Sequence, residues 1–357
     1  MWRDYASSPD QCPSGGVGRQ PQKRMFKMKK KIAMTALWLA ALVGCLALLD
    51  CGMRRDDSER KYGAFFAEKQ DFDVLFLGTS RVLDGVSPME LWRDYGFTSY
   101  NMGNNSEPLG VTRWVLETAL AYHTPRVAVI DVFYVSHATD EDWTYSFRHL
   151  FYDALPLSQA KIRAVCATQP EDGRLEFLMP FSLYHGRWEE ILSGQTERLV
   201  ECEPYMMGSE MRLSRVPRDN YTFTDEMTQE ELPGHQALRE IAALCRARGI
   251  EPVFVALPGH ASWQEQMNMN SVQRVADELG VPLVNMVRMD AVDNQTDCYD
   301  WQGHLNPDGA SKATAFLGAW LKEHFDLPDR RGDSAYAHWD ENLAQYEAYR
   351  AENWTGK

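Results

Sequence analysis

Beyond its first 31 residues the chain has no excess of positive charge. The net charge of the whole chain is −14, but residues 1–31 hold eight Lys/Arg and two Asp, which is +6, so residues 32–357 carry −20. A protein that binds nucleic acid needs a basic surface to neutralise phosphates. We therefore expect no nucleic-acid partner.

Cysteine spacing suited to metal binding is also absent. The seven cysteines include no CxxC pair and no Cys/His spacing typical of zinc sites. The sequence leaves open whether Cys166 and Cys202 form a disulfide. We expect neither a metal ion nor an organic cofactor.

Residues 32–49, IAMTALWLAALVGCLALL, lack charge altogether. As a helix they would rise about 27 Å, close to the roughly 30 Å hydrocarbon core of a bilayer. The preceding basic run KRMFKMKKK (23–31) favours a cytoplasmic N-terminus. We predict a disordered, basic cytoplasmic leader at 1–31 and a transmembrane anchor at 32–49, which places the rest of a single-pass cell-membrane protein outside the cytoplasm. A cleaved signal peptide is the alternative.

After residue 70, short apolar runs alternate with amphipathic segments. This pattern is typical of a parallel sheet whose buried strands are covered by helices on both faces. The predicted strands are 73–80, 98–103, 126–135, 250–258 and 281–286. The predicted helices are 87–96, 111–123, 232–249, 262–280, 309–325 and 338–354.

The pattern predicts a three-layer α/β/α domain of flavodoxin-like type at 70–330. Residues 140–232 lose the alternation and are rich in aromatic residues and proline. We therefore expect a helical insertion at about 140–232, beside or over the site. Residues 331–357 are predicted to form a C-terminal helical tail.

A serine follows the first predicted strand, in FLGTSR (76–81). Ligands of open parallel sheets bind outside the carboxyl ends of the strands, which is where Ser80 lies. His304 lies in TDCYDWQGHLNPDGASKAT (296–314), between the last strand and the next helix, and Asp297 and Asp300 precede it. A serine nucleophile needs a base, and the base needs an orienting group. Either aspartate is close enough in sequence to orient His304.

These blocks, with YNMGNNS (100–106), resemble the SGNH/GDSL hydrolase superfamily, in particular its membrane-anchored, DltD-like or alginate-acetylation-like bacterial members. The resemblance spans roughly residues 70–350 and includes FSLYHGRW (181–188) and DLPDRRGDSAYAHW (326–339). It implies that Ser80 is the nucleophile and His304 the base. It also implies that the N–H groups of Ser80 and Gly103 form an oxyanion hole.

The chain departs from the family pattern at two points. The family aspartate usually precedes the histidine by three residues, but position 301 is tryptophan, so Asp300 or Asp297 must take that role. The family block that supplies an oxyanion asparagine is replaced by IDVFYV (130–135), which leaves Asn104 or Asn105 as substitutes.

Four further residues are candidates for substrate binding: Arg81, His185, Arg187 and Trp188. Arginine pairs with phosphate and tryptophan can stack on sugar rings. The alternatives are a structural ion pair for Arg81 and, for the other three, contacts that fix the insertion to its domain.

The resemblance and the anchor together predict extracytoplasmic, serine-dependent acyl-ester chemistry, by O-acyl transfer or ester hydrolysis. The expected substrate is a cell-envelope glycan or a teichoic-acid-like polymer, and a membrane O-acyltransferase is a candidate partner. The alternative is a non-catalytic protein that binds such a polymer or acts as a scaffold in an acyltransferase complex.

Overall fold

The computed structural model describes residues 20–53, 56–137, 145–194, 201–219, 222–289 and 291–356. The chain divides into two compact units, Met1–Gly52 and Met53–Lys357.

A long helix, α1 (Gln20–Met53), makes up the described part of the first unit. Its segment Arg24–Asp50 is long and apolar enough to cross a membrane, and a signal sequence has the same character. The helix begins earlier than expected, so residues 20–31 are helical rather than part of a disordered leader. Lysine and methionine are good helix formers, and extending an existing helix avoids the cost of nucleation. Residues 1–19 of the predicted leader lie outside the described residues.

Five parallel strands form the sheet in the described part of the second unit, and their order is β2-β1-β3-β4-β5. They are β1 (Val74–Leu77), β2 (Ser99–Asn101), β3 (Val127–Asp131), β4 (Glu251–Ala256) and β5 (Leu283–Asn285). This is the flavodoxin-like order, whose topological switch point lies between β1 and β3. The prediction of an α/β fold with a parallel sheet is confirmed.

The helices described in the second unit are α2 (Asp56–Ala67), α3 (Ser80–Gly85), α4 (Pro88–Tyr95), α5 (Leu109–Ala119), α6 (Tyr145–Tyr152), α7 (Gln159–Thr168), α8 (Arg174–Leu178), α9 (Phe181–Tyr184), α10 (Trp188–Ser193), α11 (Pro233–Ala247), α12 (Trp263–Leu279), α13 (Pro307–His324) and α14 (Ala337–Asn353). Two 3₁₀ turns lie at Pro204–Met206 and Ser334–Tyr336. The helices α6 to α10 fall within the predicted insertion, between β3 and α11.

Alternate residues of each strand face opposite layers of helices. Val74 and Phe76 belong to an apolar cluster that includes side chains of α4 and α13. Leu75 and Leu77 belong to a second cluster that includes side chains of α5, α11 and α12. Because successive side chains of a strand point to opposite faces, these strands are apolar along their whole length. The two clusters are the two interfaces of a three-layer α/β/α domain.

The C-terminal helix α14 packs against α4. Trp339 is fully buried and its ring lies 5.3 Å from that of Trp92. Glu90 of α4, buried, accepts a hydrogen bond from Tyr346 Oη at 2.8 Å and pairs with Arg350 at 2.5 Å. The segment expected to be a helical tail therefore contributes to the core.

Candidate active site

The turn that follows β1 reaches the switch point of the sheet through a glycine. Gly78 has φ of +133°, and a Cβ atom there would lie 2.6 Å from Asp131 Cβ at the end of β3. Only glycine adopts this conformation readily and allows so close an approach. The chain then begins α3 with Ser80 as its first residue, at the carboxyl edge of the sheet.

Thr79 and Asp131 hold this turn in place. Thr79 Oγ1 donates to Asp131 Oδ2 at 2.5 Å and accepts from the Arg81 N–H at 3.2 Å, which caps α3. Burial raises the pKa of Asp131, and the hydrogen bond from Thr79 opposes the rise. We did not single out either residue from the sequence, although an acidic residue at the end of the apolar run VAVID was a usable signal.

Ser80, His304 and Asp300 form a chain of hydrogen bonds. Ser80 Oγ lies 2.7 Å from His304 Nε2, and His304 Nδ1 lies 2.7 Å from Asp300 Oδ2. The side chains of His304 and Asp300 are 15% and 29% exposed, so the site is sheltered yet reachable from solvent. This is the arrangement in which a histidine removes a serine proton while a carboxylate fixes its tautomer.

A tight turn accommodates the one-residue displacement of the aspartate. The Gly303 N–H donates to the Asp300 carbonyl at 3.2 Å, and the Tyr299 N–H donates to the His304 carbonyl at 2.7 Å. Gly303 has φ of +77°, and a Cβ atom there would lie 2.4 Å from the backbone nitrogen of His260. The turn leaves Trp301 at its apex, 72% exposed.

The Asp300 carboxylate is held in its charged form. Burial alone would raise its pKa, but hydrogen bonds from the His304 ring and from the backbone N–H groups of His304 and Gln302 lower it below its usual value. Both backbone bonds end on Oδ1, at 3.1 and 3.0 Å, which leaves Oδ2 for the ring.

Asp297, the other candidate for orienting His304, has different partners. It is buried and pairs with Lys312 Nζ at 2.7 Å, and it accepts the Asp293 N–H at 2.7 Å. The structure therefore brings Asp300, and not Asp297, to His304.

Two of the expected oxyanion donors are already engaged. The Gly103 N–H donates to Asn101 Oδ1 at 3.0 Å, and the Asn104 N–H donates to the Gly78 carbonyl at 2.9 Å. The buried Asn104 side chain donates to Tyr62 Oη at 2.5 Å, on the side of α2. These bonds do not support Gly103 and Asn104 as oxyanion donors, and that role stays a prediction. The direction of an N–H follows from local backbone geometry that sequence spacing does not reveal.

The Gly103 position nevertheless requires glycine. A Cβ atom there would lie 2.7 Å from Leu83 N and 2.9 Å from the Thr79 carbonyl oxygen, so the loop packs directly against the first turn of α3. Asn105, half-buried in the same loop, stays a predicted donor, as does the Ser80 N–H.

Glu107 lies in the buried polar cluster next to this loop. Its side chain accepts from Thr112 Oγ1 at 2.8 Å, and burial raises its pKa to about 8. Lys61, buried in the same region, donates to the Gly208 carbonyl at 2.7 Å, and burial lowers its pKa.

The Arg81 side chain is buried beneath the turn that carries Ser80. Its guanidinium lies 3.7 Å from the centre of the Phe133 ring, and Nη2 donates to the His260 carbonyl. Arg81 thereby links α3 to the loop after β4. These contacts favour a structural role for Arg81, because the helical turn that presents Ser80 directs the next side chain inward; substrate binding by Arg81 stays a prediction.

His185, Arg187 and Trp188 lie where α9 ends and α10 begins, and their role in substrate binding stays a prediction. Arg187 is buried, pairs with Glu190 at 2.9 Å and donates to the Met53 carbonyl at 3.0 Å. For Arg187 these contacts favour the structural alternative.

A buried acidic pair next to the site was not anticipated from the sequence. Arg212 Nε lies 3.0 Å from Asp84 Oδ1 and its Nη1 lies 2.9 Å from Glu210 Oε1. Asp84 is one turn after Ser80 and interacts electrostatically with His304. Burial and the nearby Asp84 raise the pKa of Glu210 to about 7. Nothing in the sequence links Asp84 to residues 210 and 212, which come from the irregular segment before α11.

In the part of the chain that the structure describes, no group of three or more His, Cys, Asp or Glu residues is arranged to hold a metal ion. Cys166 and Cys202 are both free thiols, the first exposed and the second buried.

Comparisons with known proteins find similarity at the level of structure only. No family model matches the sequence, and no curated protein matches it. The structure is similar to a GDSL-like lipase from Bacteroides thetaiotaomicron, with a TM-score of 0.36 and 10% identity, covering 75% of this chain and 98% of the lipase. It is also similar to a protein from Lactobacillus plantarum, with a TM-score of 0.37 and 11% identity, covering 72% of this chain and 99% of the other. Similarity at this level says nothing about activity. The activity has to be inferred from the geometry of the site.

Proposed function

We propose that the protein carries out serine-dependent acyl-ester chemistry, and that Ser80, His304 and Asp300 are its catalytic residues. One observation carries the proposal: Ser80 Oγ and Asp300 Oδ2 each lie 2.7 Å from opposite ring nitrogens of His304. The wider resemblance to membrane-anchored SGNH proteins is consistent with this assignment.

In the proposed reaction, His304 Nε2 takes the proton of Ser80 Oγ as the oxygen attacks the acyl carbonyl carbon. The Ser80 N–H donates to the oxyanion that forms, and Asp300 stabilises the imidazolium. When the intermediate collapses, the C–O bond to the leaving alkoxide breaks and His304 protonates that oxygen. His304 then deprotonates water or a glycan hydroxyl, whose oxygen attacks the acyl-enzyme. The bond between the acyl carbon and Ser80 Oγ breaks, and His304 returns the proton to Oγ.

We propose a cell-envelope glycan or a teichoic-acid-like polymer as the acyl acceptor or the ester substrate. The N-terminal helix favours a membrane location, and this proposal places the second unit outside the cytoplasm. Trp301, exposed at the apex of the His304 turn, takes the sugar-stacking role that we first expected of Trp188. The Arg218 guanidinium lies 5.4 Å from the centre of the Trp301 ring.

A second candidate function, that of a non-catalytic scaffold, is suggested by the N–H groups that already have acceptors within the protein. With the N–H groups of Gly103 and Asn104 bonded within the protein, the oxyanion has fewer donors than the resemblance implies. Losing one such donor typically costs about 10²–10³ in rate. This favours a non-catalytic scaffold that binds polymer within a membrane O-acyltransferase complex.

Acetylation of the full chain by p-nitrophenyl acetate tests the first proposal against the second. We expect a burst of p-nitrophenol and an acetyl group on the peptide that contains Ser80. The Ser80→Ala variant should lose both, whereas Ser193→Ala, at the exposed end of α10, should keep both. If Ser80→Ala cells also keep their envelope O-acylation, the catalytic proposal is wrong and the scaffold is favoured.

A further inference from the structure

The short helix α10 has an apolar face that nothing described in the structure covers. Trp188, Ile191 and Leu192 are 51%, 42% and 79% exposed, and no residue of α10 is buried. Positions i, i+3 and i+4 share one face of a helix, so these three side chains lie together. The helix also contains Glu189 and Glu190. An amphipathic helix with an uncovered apolar face is typical of segments that lie in a membrane interface.

The residue before this helix is bonded to Met53, which lies three positions after the end of the candidate membrane span. Arg187, immediately before α10, donates from Nη1 to the Met53 carbonyl at 3.0 Å. The candidate span ends at Asp50. Three residues of chain reach at most about 11 Å, so connectivity alone keeps Met53 near the edge of the bilayer. Because α10 begins at the residue after Arg187, its apolar face is within reach of the same edge if the span crosses a bilayer.

We propose that Trp188, Ile191 and Leu192 insert into the interfacial region of the bilayer that the N-terminal helix crosses. Tryptophan is enriched at the level of the lipid headgroups, and isoleucine and leucine gain free energy by leaving water for the acyl boundary. The charge of −20 on residues 32–357 provides no general attraction to anionic lipids, so burial of apolar surface is the driving force. The proposal requires that the N-terminal helix remains attached, and it is independent of the proposed chemistry.

Fluorescence quenching of the full chain in nanodiscs tests this contact. The nanodiscs contain phosphatidylcholine brominated in the acyl chains near the headgroup, and unbrominated discs give the reference. The emission lost in Trp188→Phe defines the contribution of Trp188. The control is Trp263→Phe, because Trp263 is similarly exposed, at 46%, and begins α12.

We expect the brominated lipid to remove most of the Trp188 contribution and to leave that of Trp263 unchanged. An unquenched Trp188 contribution would overturn the proposal. Equal quenching of both residues would also overturn it, since the contact would then not be specific to α10. A third outcome is that brominated lipid does not quench Trp188 in nanodiscs while acrylamide fails to reach Trp188 in native membranes. That result would overturn membrane insertion and assign the apolar face to a protein partner.

Discussion

Replacing Asp300 with asparagine alters one feature of the site and leaves its shape intact. Asp300 Oδ1 accepts the backbone N–H groups of His304 and Gln302, and an asparagine oxygen can keep both bonds. Oδ2, which lies 2.7 Å from His304 Nδ1, becomes an NH₂ donor. The imidazole then places its proton on Nε2 so that Nδ1 can accept. With a proton on Nε2, His304 cannot accept one from Ser80.

An error of this kind in the tautomer lowers kcat by about 10⁴-fold in serine triads. That factor corresponds to about 5 kcal/mol of transition-state free energy. We expect Asp300→Asn to lower the burst rate with p-nitrophenyl acetate by this order, while the melting temperature changes little because the turn keeps its backbone bonds.

Asp297→Asn is the matched control. It removes a buried charge that pairs with Lys312 at 2.7 Å, so it should lower the melting temperature and leave the burst rate near that of the wild type. The reasoning is refuted if Asp300→Asn reacts at the wild-type rate, or if Asp297→Asn is the slower of the two.

Three other substitutions test neighbouring parts of the account. Gly103→Ala places a Cβ atom 2.7 Å from Leu83 N, and overpacking of this kind costs about 1–3 kcal/mol; we expect a lower melting temperature and slower acylation of Ser80, and an unchanged protein would contradict the close packing. Burial raises the pKa of Glu107 from 4.5 to about 8. Between these pH values the folded state binds a proton that the unfolded state lacks, so the free energy of unfolding falls as the pH rises. Glu107→Gln should remove a slope of up to about 1.4 kcal/mol per pH unit from urea unfolding, and an unaltered slope would show that Glu107 ionises normally. Trp301→Ala should raise KM several-fold more for an O-acetylated oligosaccharide than for p-nitrophenyl acetate, and equal effects on both would remove Trp301 from glycan binding.

The sheet and its helices were predictable because their signals are local. Each of the three longest predicted strands contains an apolar run buried on both faces, and such a run identifies a parallel strand without knowledge of its partners. Start and stop signals were equally direct: Ser87 caps α4, and Gly96 ends it with φ of +76°. Order along the chain then placed Ser80 and His304 at the same edge of the sheet.

The features that the sequence did not predict depend on the directions of N–H groups and side chains, and on contacts between residues far apart in the chain. The direction of the Gly103 N–H depends on the path of the loop after β2, in which this group donates to Oδ1 of Asn101, the last residue of the strand. The Arg81 side chain turns inward because Ser80 begins a short helix that apolar periodicity does not reveal. Arg212 reaches Asp84 across 128 positions of the chain, and no spacing rule connects them.

Labelling of the full chain with a fluorophosphonate tests the central claim most directly, because the probe reacts with an activated serine whatever the natural acyl donor is. The reaction is followed by peptide mass spectrometry, with His304→Ala as the control. The account predicts modification at Ser80 that is lost in His304→Ala. Absence of labelling at Ser80, or equal labelling in the two proteins, would contradict the claim that His304 activates this serine.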